Sequence, residues 1–122
     1  MSTKFVFSEP SSTDFDRYGH TGKILPTISA TTDHLLIETK NGYDKSLRQS
    51  VCEFTYYVIS GSGEFIINGA KSPVSQGDVV VIPPGNIFTC NGHLKLLLVN
   101  TPKYYPEQAE ELPKDAAFRF KP

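Results

Sequence analysis

Three Asn-Gly dipeptides, Asn41-Gly42, Asn68-Gly69 and Asn91-Gly92, each separate segments rich in β-branched, aromatic or leucine residues. An Asn-Gly pair suits a type I′ turn, which needs positive φ at both central residues and joins antiparallel strands, so it is the strongest short hairpin signal. Repeated at this spacing, the dipeptides leave little room for a long amphipathic helix. The intervening patterns predict strands over 34–39, 54–60, 64–68, 78–82, 87–90 and 93–100. A sandwich or a jelly-roll barrel fits such short strands, which makes the expected class all-β.

With 122 residues the chain forms one domain, 1–122, long enough to remove roughly two-thirds of its unfolded surface from water. Its barrel core is expected over about 34–100, with an N-terminal arm over 1–33 and a C-terminal tail over 101–122. The arm is rich in Ser, Thr, Asp, Gly and Pro between residues 8 and 27, which predicts irregular chain with one short edge strand around Ile24. In the tail, Pro102 and Pro106 stop the last strand, and residues 107–112 are expected to make a short acidic helical turn outside the barrel.

Twelve basic residues against thirteen acidic ones leave a net charge of -1, with no basic stripe to follow a phosphate backbone or an anionic membrane. Nucleic acid and membrane partners are therefore not expected. The longest apolar runs, 79–82 and 96–99, fall far short of the ~20 residues that span a bilayer, and the first ten residues lack an apolar signal core. A cytoplasmic location is the expectation. Cys52 and Cys90 are too few for a disulfide scaffold and stand in no CxxC arrangement, so both read as small packed thiols.

Gly77, Pro83 and Gly85 lie in the run GDVVVIPPG, where glycine suits a tight turn into a strand, proline stiffens the strand's exit, and the second glycine lets the chain reverse. This run resembles the second sequence motif of the cupin β-barrels. The segment YYVISGSGEF, ending the first motif with Gly61, resembles that family's strand-turn-strand. From about Leu47 to Pro106 the chain is thus similar to a small single-domain cupin of the RmlC-like type. The resemblance implies a double-stranded β-helix, the cupin jelly-roll barrel, and a homodimer that pairs its N-terminal strands.

It also implies where a metal would be held, and there the sequence departs from the family. The second motif ends in a histidine, and Phe88 stands in its place. The glutamate of the first motif corresponds to Phe54, and the two histidines correspond either to Gln49 and Leu47 or to Ser50 and Arg48. These residues are poorly suited to an ion that takes imidazole or carboxylate donors. No metal ligand and no cofactor are expected.

Strand alternation puts Cys52, Phe54, Tyr56 and Val58 on one face, and Phe88 with Cys90 on another facing it, so the expected lining is Cys52, Phe54, Tyr56, Phe88 and Cys90. Tyr56 is its polar handle, as a ligand contact or as a core tyrosine bonded to the backbone. Arg48 and Gln49 fall at the rim or the inner wall, where a guanidinium would orient a carboxylate or phosphate. Glu53 would turn inward only through a one-residue slip or a bulge. His93 follows a turn and His34 opens a strand, while His20 reaches a barrel mouth only if the arm folds over it.

No nucleophile elbow, P-loop, dinucleotide fingerprint or HExxH helix is present. The expected function is metal-independent binding of a small, largely apolar organic molecule in an aromatic-lined barrel, by a binding protein or by an isomerase- or cyclase-like enzyme that acts through positioning. Two alternatives stay open: a metalloenzyme using Glu53, His20 or the cysteines, and a barrel plugged by Phe54 and Phe88 that serves as an assembly module.

Overall fold

A computed structural model describes residues 5–9, 12–17, 19–26, 29–103 and 109–119. Among them the fold is organised by two long antiparallel strands, β5 (Glu53–Ile67) and β8 (Ile87–Thr101), paired from Glu53↔Thr101 to Ile67↔Phe88. Each strand bends midway and so belongs to two layers. On one side of the bend, β7 (Val79–Ile82) pairs with β5, β3 (Asp33–Thr39) pairs with β8, and β2 (His20–Ile24) and β1 (Thr13–Arg17) follow outward from β3. On the other side, β6 (Ala70–Ser75) pairs with β5, β4 (Lys45–Gln49) pairs with β8, and β9 (Ala109–Pro113) pairs with β4. The result is the expected jelly roll, a curled antiparallel sheet closing on itself.

The bend rests on glycine. Gly63 and Gly92 are register partners, and a Cβ on Gly92 would sit 2.6 Å from the Gly63 Cα and from the Ser62 carbonyl oxygen. Only residues without a side chain let the two backbones cross so closely as they pass between layers. Asn91-Gly92 therefore lies inside β8, at a bend, and does not join two strands. Asn41-Gly42 links β3 to β4, which lies on the opposite layer. Only Asn68-Gly69 behaves as the expected hairpin turn, with φ of 49° and 83° between the partners Ile67 and Ala70.

Between the layers lies a core that includes Ile37, Val58, Phe65, Phe88, Leu94 and Leu96, all at most 1 % exposed. Burial of each such side chain stabilises the fold by roughly 1.5 to 3 kcal/mol. A smaller cluster forms outside, where α1 (Ala116–Arg119) sets Ala117 against Ile66 and Ile87.

The ends of the chain differ from expectation. The arm contributes two strands, β1 and β2, and the predicted helical turn is instead β9, paired from Lys45↔Pro113 to Gln49↔Ala109; residues 107 and 108 lie outside the described set. Both corrections share one cause: β3 and β4 each expose an edge that satisfies its backbone groups by adding a strand, which outweighs weak local propensity. The strands β4 and β6 also went unpredicted, since SLRQ and AKSPVS lack the usual strand composition. Among the described residues, no helix is long and apolar enough to cross a membrane.

Candidate functional site

A cavity of about 200 Å³ opens inside the barrel, so Phe54 and Phe88 do not plug it. One wall is the β1–β2 hairpin. Phe15 and Arg17 share the inward face of β1, and Phe15 is paired with Gly22, whose missing side chain leaves room for the ring. His20 at the start of β2 is 5 % exposed, with its ring 4.5 Å from that of Tyr43 and tilted by 30°, and edge-on to Phe15 at 5.5 Å. Leu35, Ile37 and Leu98 complete the apolar side.

The deep wall is aromatic. Phe54 meets Phe88 edge-to-face at 5.7 Å and Tyr56 at 6.3 Å, both geometries that set a ring edge against a ring face. The hydroxyls of Tyr43 and Tyr56 share a buried hydrogen bond of 2.8 Å, which either can donate. Both tyrosines line the cavity.

Polar groups enter from β4 and the end of β8. Gln49 is 3 % exposed, and its Oε1 accepts the Val51 N–H at 2.9 Å, which fixes the carboxamide and leaves Nε2 buried with no hydrogen-bond partner among the described residues. Asn100, 2 % exposed and paired with Phe54 across the sheet, has a buried Oδ1 in the same condition. The Gly85 N–H donates to the Gln49 carbonyl at 2.8 Å, so the turn of the PPG motif holds the strand end that carries Gln49. Gly77 and Gly85 both adopt positive φ, 94° and 87°, as their turn roles require. Arg48 lines the cavity beside Gln49 and faces Glu110 of β9 at 3.9 Å.

Of the residues expected at the site, Arg48, Gln49, Phe54 and Tyr56 line the cavity, whereas Cys52, Phe88 and Cys90 do not. Phe88 stands one ring behind, packed on Phe54, Tyr56 and Tyr43. The Cys52 thiol turns to the Pro102 carbonyl at 3.1 Å, and desolvation raises its pKa, helped by the charge of Asp33. Burial pushes the Cys90 thiol up to about 12. The parity argument was right about which residues are buried, but the cavity occupies only the part of the barrel beside the hairpin.

Sequence reasoning missed Phe15, Arg17, Tyr43 and Asn100, and placed His20 at the barrel mouth only on the condition that the arm folds over it, which it does. Asn100 was legible, because it ends the alternating series Leu94, Leu96, Leu98. For the hairpin residues no local signal exists, since only docking brings them inward. His34 is partly buried and His93 exposed, and neither lines the cavity.

The metal that the family pattern implies does not fit these residues. Of the two pairs expected at the histidine positions, Leu47 and Gln49 are both buried, with Leu47 paired to Phe88, while Ser50 is exposed. Two phenyl rings, an isobutyl group and a carboxamide whose oxygen is already engaged offer no adequate donor set. Among the described residues, no group of three or more His, Cys, Asp or Glu side chains is placed to hold an ion.

No protein-family model matches the sequence, and no curated protein does. Solved structures do match. Streptomyces Pac13, described as a nucleoside dehydratase, superposes with a TM-score of 0.87 at 18% identity, covering 98% of this chain and 100% of that one, and structures of it contain uridine. KdgF from a Halomonas species matches with a TM-score of 0.69 at 19% identity, over 83% of this chain and 96% of that one. An RmlC-like cupin from Shewanella frigidimarina gives 0.67 at 17% identity, over 83% and 92%. At such identities the likeness concerns the fold, and with the jelly-roll topology above it shows that this chain is a small cupin-fold protein.

Proposed function

We propose that the protein binds, without a metal, a small organic molecule with a planar amide-bearing ring of the pyrimidine nucleoside type. One observation carries this reading: two buried carboxamide atoms, the donor Gln49 Nε2 and the acceptor Asn100 Oδ1, have no hydrogen-bond partner among the described residues, in a wall that is otherwise mostly apolar. A buried polar atom left unsatisfied costs about 1 to 3 kcal/mol, so two in one cavity are recognition groups awaiting their complement. An imide edge supplies it, because the ring N–H donates to Asn100 and a flanking carbonyl accepts from Gln49. The aromatic side chains suit the ring face. At about 200 Å³ the cavity lies below the roughly 300 Å³ at which drug-sized pockets begin, which favours a monomer-sized ligand. The similarity of Pac13, whose structures contain uridine, supports the same class.

Titration calorimetry with uridine and N3-methyluridine tests this. Uridine is expected to bind, and N3-methylation, which removes the imide N–H, is expected to weaken binding about tenfold or more. A chelator should leave the affinity unchanged. Equal binding of the two compounds, or none of either, would overturn the proposal.

Tyr43 and Tyr56 favour a second reading, in which the bound molecule is also transformed. Their hydroxyl pair lines the cavity with His20 against Tyr43, so a phenol and an imidazole stand where a proton can be given and taken. Elimination of water fits this equipment: a base removes a proton beside a carbonyl while the β-hydroxyl leaves with a proton from the phenol. Mass spectrometry of nucleoside derivatives carrying that arrangement would show loss of water, abolished in Tyr56→Phe while binding persists.

A further inference from the structure

We infer that the outer face of the strands β7, β5, β8 and β3 is an interface for a second copy of this chain. Alternation turns the core residues of these strands inward and leaves two rows outside. One row is Val79, Tyr57, Leu97 and Leu36, each the register partner of the next, and the other is Val81, Thr55, Val99 and His34. Val79, Val81 and Tyr57 are 60 %, 51 % and 43 % exposed, and the other five are partly buried. In the run GDVVVIPPG, turn roles account for the glycines and Pro83, and core packing accounts for Ile82. Neither calls for valine at the two outward positions. The cavity lies on the opposite side of the same strands, so this face stands apart from the ligand site.

Charge selects a second copy as the occupant. The two rows hold no Asp, Glu, Lys or Arg. A two-fold contact sets a patch against itself, where a charge near the axis would meet its like, so a patch free of charge is self-complementary. A partner that recognises charge would find nothing on it to read. Charged residues begin only where the rows end, with Lys95 two residues before Leu97 on β8 and, at the opposite end, Glu53 two residues before Thr55 on β5. A two-fold axis running across the strands brings Lys95 of one copy toward the partner's Glu53, and the reverse. Four strands about 4.8 Å apart, over five residues of about 3.4 Å each, make a face of roughly 300 Å². That is the size at which an apolar patch marks an interaction site, and it serves as the apolar centre of a standard interface of about 800 Å² per partner, with polar residues as the rim. β7 pairs with β5 alone among the described strands, so its outer edge is open on the same side of the molecule. The family resemblance implies pairing through N-terminal strands, yet β1 and β2 fold onto β3 of their own chain.

Sedimentation velocity of the full chain, from low to high micromolar concentration, tests this. A monomer–dimer equilibrium is expected for the wild type. Tyr57→Glu and Val79→Lys each place a charge in the centre of the contact and should weaken the dimer about tenfold or more, with an unchanged circular dichroism spectrum because both positions are exposed. Glu53→Lys should also weaken it, and adding Lys95→Glu to that variant should restore it, an exchange that only the two-fold arrangement predicts. Hydrogen exchange of the wild type should slow over residues 79–82 as concentration rises, a readout that needs no variant. A chain that stays monomeric throughout overturns the inference. So does a dimer that Phe5→Glu dissociates and Tyr57→Glu leaves intact, since Phe5, 79 % exposed, belongs to the N-terminal arm.

Discussion

A Cβ built on Gly22 would stand 2.5 Å from Cζ of Phe15 and closer still to the Leu36 carbonyl oxygen, so one absent side chain decides where the hairpin's aromatic ring lies. The ring can move and the carbonyl cannot, because Leu36 is fixed in the ladder between β2 and β3. Gly22→Ala is therefore expected to destabilise the protein by about 1 to 3 kcal/mol in urea unfolding and to weaken uridine binding, as Phe15 is forced toward the cavity. Stability and affinity both equal to wild type would mean that the hairpin does not form this wall. At the same scale, Tyr56 and Gln49 could be singled out in the sequence because strand parity and motif spacing fix their side. Tyr43 could not, since it follows Asn41-Gly42 in a connection that has no period.

Ser46 ties together the elements that the sequence left outside the barrel. It is fully buried on β4, its hydroxyl donates to the Lys114 carbonyl at 2.6 Å, and it accepts the Ala117 N–H at 3.1 Å. One side chain thus joins β4, the end of β9 and α1. Its removal takes away the partner of the buried Ala117 N–H and of the partly buried Lys114 carbonyl, so Ser46→Ala should cost about 1 to 3 kcal/mol. Hydrogen exchange should rise first over residues 109–119, before the β5–β8 pairing responds, because α1 and β9 form a peripheral unit with its own small cluster. Uniform exchange across the chain would show instead that the periphery and the barrel open together. The run SLRQ carries no mark of this role, and the tail's acidic composition pointed to a helix, because neither β4 nor β9 is apolar enough to announce a strand alone.

For the molecule as a whole, the buried thiol of Cys90 links stability to pH. Its pKa rises from 9.0 to about 12, because the folded interior opposes a thiolate. Between those values the unfolded chain gives up the proton and the folded chain keeps it, so unfolding releases a proton and stability falls as pH rises; below about 9 the thiol contributes no slope. Cys52, also raised, acts in the same direction. Urea unfolding at about pH 8 and about pH 11 should show the loss, and Cys90→Ala should lessen it whatever the substitution costs at neutral pH. An unchanged slope in the variant would assign the loss to other groups. The sequence by itself determined the all-β class, the turns of GDVVVIPPG and the absence of ligand-type residues at the family's metal positions, since alternation, glycine conformation and donor chemistry are local properties. Only the tertiary structure decided that Asn91-Gly92 is a bend within one strand, that the hairpin brings Phe15, Arg17 and His20 to the barrel's interior, and that Phe88 and both cysteines lie behind the wall. Those outcomes depend on which strand edges find each other and on how two backbones cross at Gly63 and Gly92. Pairings between residues far apart in the chain leave little trace in local pattern.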